Sequence, residues 1–316
     1  MPDLANLDYV HRVNRAIDHV TRNLAEPLPL DDVARVACFS PYHFHRIFRA
    51  LVGETLHAFV KRVRLERALY LISHDDVPSL TDVALTCGFS SSSDFSRSFR
   101  SHFGVPPSAF DVEQLRRARR DQMLDALVPD DGAGEPHRRL ARLPAGENPD
   151  GFTVRLRERP ARRVAYTRVL QPYGSDRVPA AAAHMVAWAK QRGLAGGQWL
   201  GYQWDDPEIV ALERCRYDIG VEIPAAAPVD GDVNVTVFPP MTLAEIDIVG
   251  PVELEMRALD WLYTTWLPSS GHVPDHQPMF EAWSGEPFAH GHDHFELRVQ
   301  LAVVEAAAPG DPRWIP

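Results

Sequence analysis

Residues 80–110 read LTDVALTCGFSSSSDFSRSFRSHFGVPPSAF, and an earlier stretch, 30–59, reads LDDVARVACFSPYHFHRIFRALVGETLHAF. Leu30, Asp32, Val33, Ala34, Phe39 and Ser40 return fifty positions later as Leu80, Asp82, Val83, Ala84, Phe89 and Ser90. Beyond them Phe44, Arg46, Phe48, Arg49, Gly53, Ala58 and Phe59 return fifty-one positions later as Phe95, Arg97, Phe99, Arg100, Gly104, Ala109 and Phe110. One residue inserted after a turn explains the step. Self-similarity at a fixed spacing marks a duplicated structural unit. The unit here is a short helix, a tight turn and a second helix. Ser40 followed by Pro41 is a helix start, and Gly53 and Gly104 are helix stops. Gly88 suits a turn that needs a positive φ.

Working outward, 8–23 carries Tyr9, Val10, Val13, Ile17 and Val20 at helical spacing, and 56–73 carries Phe59, Val63, Leu69 and Ile72 on one stripe. The latter predicts a stiff connector between the repeats. In the second helix of the first repeat Phe44, Phe48 and Leu51 share one face, with Tyr42, His45, Arg46 and Arg49 opposite. In its counterpart Phe95, Phe99 and Phe103 form the buried stripe, while Ser92, Ser93, Arg97 and Arg100 face away. A helix-turn-helix needs one face locked in a core and short polar groups plus Arg on the other, where they reach base edges in the major groove. An Arg gripping guanine O6 and N7 discriminates by about 1–3 kcal/mol. Two such helices on one connector would address successive major grooves, about 34 Å apart.

The chain has 316 residues, 45% hydrophobic, enough for two or more separate cores. Net charge is −10, but residues 1–120 carry +2 and the remainder −12. That balance excludes a general nucleic-acid binder and permits a DNA-reading front joined to an acidic rear. Cys38, Cys87 and Cys215 have no metal-ligand spacing. No leader or membrane-length apolar run is seen, so a reducing cytoplasm is expected. No metal or other cofactor is expected: the alternating His290, His292 and His294 read as a polar loop, and no nucleophile elbow, P-loop or dinucleotide fingerprint is present.

Residues 112–150 turn Arg-rich and then rich in Gly, Pro and charge, and read as a linker, mobile in its second half. From 152 the period becomes two. Strands are expected around Val154–Leu156, Val164–Tyr166, 199–204 and 215–223, with a helix over 180–192 between them. The pattern then echoes itself: 241–249 as a strand, 253–267 as a helix, then Pro207, Tyr217, Ile219, Val221 and Ile223 matched by Pro287, Leu297, Val299, Leu301 and Val303, all eighty apart. Trp188 matches Trp266 at seventy-eight, and Tyr202 and Trp204 match Glu281 and Trp283 at seventy-nine. The expectation is a duplicated β-α-β-β unit: one antiparallel sheet with two helices on a face and a cleft along a pseudo-twofold axis. Glu281, between Phe280 and Trp283, is expensive to bury unless it meets a cation or hydrogen bonds. It is therefore the candidate anchor for a lipophilic cation, with Tyr166, Trp188, Tyr202, Trp204, Tyr263, Trp266 and Trp283 as stacking partners.

On Ser40, Phe44, Arg46, Phe48 and Gly53, the connector residues Arg64, Ala68 and Leu69, and the segment 88–110, residues 8–111 closely resemble the AraC/XylS-type regulators. The resemblance implies base reading by Tyr42, His45 and Arg46 in one groove and by Ser92, Ser93 and Arg97 in the next. Residues 151–305 resemble the GyrI-like effector-binding domain, on VAYTRVLQPY (164–173), GYQWDDP (201–207), CRYDIGVEIP (215–224) and WLPSSGHVPDHQPMFEAW (266–283). Glu281 matches that family's acidic pocket residue. The resemblance implies a pocket for amphipathic or cationic small molecules.

Together these make the chain multidomain: an all-α double helix-turn-helix domain over 8–111, a linker over 112–150, an α+β effector domain over 151–305 and a tail over 306–316. The expected function is a transcription regulator rather than an enzyme. Its partners would be promoter DNA, a small effector and RNA polymerase, with no membrane. Two alternatives stand beside it: a rear domain that hydrolyses small molecules with Glu281 and Tyr202 or Tyr263, and a protein-binding module without a ligand.

Overall fold

A computed structural model describes residues 4–73, 79–127, 143–173, 176–230, 233–291 and 294–306, with no side-chain description at 4–7. Residues 128–142 of the linker, His292 and all but the first residue of the tail lie outside these. The chain divides into two compact units, Met1–Ala118 with Asp230–Asn234, and Arg119–Val229 with Val235–Pro316.

In the first unit the signals at helix ends act as read. The helices are α1 (Leu4–Arg22), α2 (Leu30–Val36), α3 (Pro41–Val52), α4 (Leu56–Ile72), α5 (Leu80–Thr86) and α6 (Ser92–Phe103). Ser40, Thr55, Ser79 and Ser91 each accept a hydrogen bond from a backbone amide of the first turn they precede. Gly53 and Gly104 close α3 and α6 in the left-handed conformation. Phe44 and Phe48 sink into a core with Val13, Ile17 and Val20 of α1 and Phe59 of α4. Phe89, Phe95, Phe99, Phe103 and Phe110 build the second core as a chain of tilted and edge-to-face rings, with centroids 4.5–5.5 Å apart.

Both turns need a positive φ, taken by Cys38 at 56° and Gly88 at 79°. Gly88 is further constrained. A Cβ there would stand 2.6 Å from the Leu24 carbonyl oxygen and 2.8 Å from the Arg64 guanidinium. Arg64 donates to the carbonyls of Leu24 at 2.9 Å and Glu26 at 2.8 Å. The connector α4 thus ties the exit of α1 against the second turn. Its buried Arg62 is satisfied by Glu54 at 2.7 Å and Glu66 at 2.9 Å.

The stretch read as a linker begins as a helix, α7 (Val112–Leu127). Within the second unit Met123 and Leu124 pack on Met256. Arg120 is buried between Glu208 at 2.9 Å and Asp260 at 2.7 Å. Arg-rich composition reads as the start of a linker; these apolar and acidic partners, remote in sequence, are what order it as a helix.

The second unit is a nine-stranded sheet in the order β1-β6-β9-β8-β3-β4-β2-β5, with β7 beside β9. The strands are β1 (Arg155–Arg159), β2 (Arg162–Leu170), β3 (Trp199–Gln203), β4 (Arg216–Glu222), β5 (Asn234–Phe238), β6 (Met241–Gly250), β7 (His272–Pro274), β8 (Met279–Trp283) and β9 (Phe295–Glu305). Helix α8 (Arg177–Gln191) follows β2, and α9 (Val252–Trp261) follows β6. The second of these runs through a π-helical turn, Leu262–Trp266, into α10 (Leu267–Ser270). Pro268 has no N–H to donate and its ring crowds the carbonyl four residues back, which accounts for the widened turn. The duplication is present, with two additions to the β-α-β-β expectation, one of them β7 in the second repeat. Each repeat opens with an extra strand, and β1 pairs with β6 while β5 lies beside β2, so each repeat gives its first strand to the other.

The two sheet faces differ. Helix α8 covers one, where the Thr167 hydroxyl donates to the Met185 sulfur at 3.1 Å. On the other, Phe238 of β5 lies 4.9 Å from Phe280 of β8 although three strands stand between them. The sheet therefore curls around this second face and fills it with its own rings.

Candidate functional site

In the first unit, burial of the Phe stripes decides what α3 and α6 present outward. Tyr42, His45, Arg46 and Arg49 are exposed on α3, and Ser93, Arg97 and Arg100 on α6, with Ser92 half-buried at its start. Arg46 lies 5.8 Å over the Tyr42 ring and donates to its hydroxyl at 3.5 Å, an (i, i+4) pair on the outer face. Every residue expected to read DNA except Ser92 lies on the side of its helix away from the core; Ser92, three and seven residues before Phe95 and Phe99, falls on the side of the buried stripe instead of facing away.

In the second unit, strand register assembles the site. Strand β3 pairs with β8 so that Gly201 stands opposite Glu281, Trp199 opposite Trp283 and Tyr202 opposite Phe280. Side chains alternate between faces, so Trp199, Gln203, Glu281 and Trp283 share the helix-covered face with Tyr217 of β4. Tyr217 donates a short hydrogen bond to the Glu281 carboxylate. The Gln203 amide donates a second, and the Tyr173 hydroxyl donates to Gln203 Oε1 at 3.1 Å. Gly201 makes this possible. A Cβ there would fall 1.8 Å from the Tyr217 hydroxyl and 2.7 Å from Glu281 Oε2.

Glu281 is only 8% exposed. Burial pushes its carboxyl up to about 7, against the pull of the Tyr217 and Gln203 hydrogen bonds. Glu255 of α9 is 6% exposed, and burial first, then the Glu281 charge, raise its carboxyl well above the usual range. Burial likewise raises the Tyr173 and Tyr217 hydroxyls. Among the described residues, no Lys, Arg or His pairs with Glu255 or Glu281. Such an arrangement holds a proton or a cation. The row of side chains ends at Trp199 and Trp283, where a cleft of about 470 Å³ is lined also by Gln198, Glu286 and Arg298.

Of the residues expected around Glu281, Trp283 shares its face. Trp188 is on α8 beneath the Arg192 guanidinium at 4.8 Å, Tyr263 is on the π-helical turn, and Trp266 stacks on His272 with centroids 6.0 Å apart. Tyr166, Tyr202 and Trp204 do not join them. They belong to the ring-filled face: Tyr202 lies 6.0 Å from Tyr166, 6.4 Å from Trp204 and 5.2 Å from Phe238. Tyr166 alternates on β2 with Thr167, which faces α8; for Tyr202 and Trp204 the physical reason is a one-residue slip. Sequence matching set Tyr202 against Glu281 at seventy-nine, whereas register sets Gly201 against Glu281 at eighty, in step with Ile219 and Val299 on the neighbouring strands. With a side-chain period of two, that slip reverses every face. Sequence reading missed Tyr217, Gln203 and Glu255. A hydroxyl in the apolar row Tyr217, Ile219, Val221 and a lone Gly within a strand were the available signals for the first; a Glu on a helix is too common to be one. His290 and His294 each place Nε2 within 3.6 Å of Glu296. Among the described residues no helix is long and apolar enough to cross a membrane.

Known proteins divide along the same line. A family described as a helix-turn-helix domain matches residues 33–112, and one described as a GyrI-like small molecule binding domain matches residues 152–303. The HTH-type transcriptional regulator YbfP of Bacillus subtilis (strain 168), itself uncharacterized, is 31% identical over 102 residues, 32% of this chain and 34% of its own. The probable transcription factor PqrA of Proteus vulgaris is 36% identical over 85 residues, 27% of this chain and 69% of its own. The DNA gyrase inhibitor of Serratia proteamaculans (strain 568) is 30% identical over 157 residues, 48% of this chain and 98% of its own. The matches to YbfP, to the regulatory protein PocR of Salmonella typhimurium and to LumQ of Photobacterium leiognathi span 32–41% of the length of those regulators.

Proposed function

Because the chain belongs to the AraC-type helix-turn-helix regulators and carries a GyrI-like small-molecule-binding domain, we propose that it is a one-component transcription regulator. Residues 8–111 read promoter DNA and residues 151–305 bind an effector that is amphipathic and positively charged. Tyr42, His45 and Arg46 contact base edges in one major groove, and Ser92, Ser93 and Arg97 in the next. Arg49 and Arg100 hold the flanking phosphates. RNA polymerase is its partner at the promoter. The observation that carries the effector reading is Glu281: a carboxyl buried among rings, poised near neutrality, with no cation beside it among the described residues.

The test uses the full chain and tetraphenylphosphonium. The cation should raise the unfolding temperature of the wild type, and Glu281→Ala should remove that rise; an equal rise in both proteins discards Glu281 as the anchor. Selection of random duplexes by the intact protein should enrich an asymmetric site about two helical turns long. Enrichment of nothing would count against sequence reading altogether.

A hydrolytic reading keeps one supporting observation, a carboxyl near 7, which suits a general base. Its partner would be Tyr217, since Tyr202 lies on the other face. Product formation from an electrophilic substrate that disappears in Glu281→Gln would favour turnover over sensing.

A further inference from the structure

Glu255 plays no part in the reading above. It stands on α9, the helix laid against β6 and β9, and is more than nine-tenths buried. Among the described residues no hydrogen bond or ion pair reaches its carboxyl group. The charge that acts on it is that of Glu281, and Tyr217, which donates to Glu281, responds to both carboxylates. Helix and sheet thus bury two acids close enough for the charge of one to act on the other, one held by two donors and one, among the described residues, by none. Structural carboxylates elsewhere in this unit are treated differently. Asp218 is gripped by Arg168 at 2.7 Å and Asp205 by Arg216 at 2.6 Å. An unpartnered buried acid is costly wherever no counter-charge arrives.

The occupant's charge follows from this. A neutral ligand would strip the remaining water from Glu255 and offer nothing in return. A single cation would satisfy Glu281 and leave Glu255 protonated. Two positive centres would satisfy both and displace the proton the empty pair holds. We propose that Glu255 is a second anchor of the effector beside Glu281 and that the ligand class it selects carries two positive centres. This rests on the reading of Glu281 as a cation anchor.

Two probes of one scaffold test it by calorimetry on the full chain near pH 8: N-decylquinolinium with one charge, and decamethylene-bis(quinolinium) with two. The wild type should bind the dication at least about tenfold more tightly, the scale expected for one added ion pair in a partly desolvated site. Glu255→Gln should bring the ratio of the two affinities close to one. Glu255→Asp, which keeps the charge, should retain much of the preference and so separates charge from folding. Glu281→Gln should weaken both probes. If both probes bind the wild type and Glu255→Gln leaves their ratio unchanged, the second anchor is wrong while the first stands. If neither probe binds the wild type, the cation reading of Glu281 falls, and this inference with it.

Discussion

Replacing Glu281 with Gln should stabilise the protein at alkaline pH while removing its ligand. A carboxyl whose pKa rises from 4.5 unfolded to about 7 folded binds its proton more tightly in the folded chain. Folding is therefore favoured while the group is protonated, and that advantage is lost as pH climbs from 4.5 to 7. The shift corresponds to about 3 kcal/mol of destabilisation carried by the wild type at pH 8. Gln is never charged and avoids this. It has one acceptor oxygen for two donors, Tyr217 and Gln203, so roughly 1 kcal/mol of hydrogen bonding is forfeited. The net expectation is a variant more stable by about 2 kcal/mol at pH 8, and within about 1 kcal/mol of the wild type near pH 5. Glu255 acts in the same direction, because removing the Glu281 charge eases its own ionisation. All seven tryptophans lie at position 188 or later. Urea unfolding followed by tryptophan emission therefore reports on the second unit within the intact chain. A variant less stable than wild type at pH 8, with the same slope against pH, would mean that Glu281 is comfortably ionised in the folded protein, and the argument for a cation would lose its footing.

Three further outcomes are expected. Gly201→Ala places a methyl group where the Tyr217 hydroxyl sits; it should cost about 1–3 kcal/mol and abolish cation-induced thermal stabilisation, and full retention of that stabilisation would contradict the placement. Arg46→Ala is exposed and should leave helicity by circular dichroism intact while weakening specific DNA binding by about 1–3 kcal/mol; a specific-to-non-specific ratio unchanged in gel shifts would remove it from base contact. Arg120→Ala removes the guanidinium buried between Glu208 and Asp260 and should cost about 3–5 kcal/mol in the tryptophan-detected transition, whereas a loss below about 1 kcal/mol would mean that the ion pairs contribute little.

What the sequence discloses depends on how local the cause is. Caps at Ser40 and Ser91, stops at Gly53 and Gly104 and the Phe stripes of α3 and α6 act within a few residues of themselves, so the front unit is legible almost to the residue. The rear duplication is legible too, because Tyr217, Ile219, Val221 and Ile223 repeat in strict alternation. The site within it is only half legible. Glu281 stands out as an acid among rings, but its surroundings are set by inter-strand register, a non-local quantity. A one-residue difference in alignment carries Tyr202 and Trp204 to the wrong side and hides Tyr217 and Gln203. The contacts of α7 are of the same kind: nothing near Arg120 in sequence announces Glu208, 88 residues away, or Asp260, 140 away.

The exchange of first strands between the two repeats has a consequence for how the rear unit holds together when its chain is cut. With β1 bonded to β6, and β5 beside β2, neither repeat is a self-sufficient piece. Each has an edge that only the other completes, in the manner of a domain-swapped dimer written into one polypeptide. A nick between β4 and β5 should leave two fragments that stay associated in native buffer and separate only on denaturation. Either fragment alone, its edge unpaired, should seek a second copy of itself.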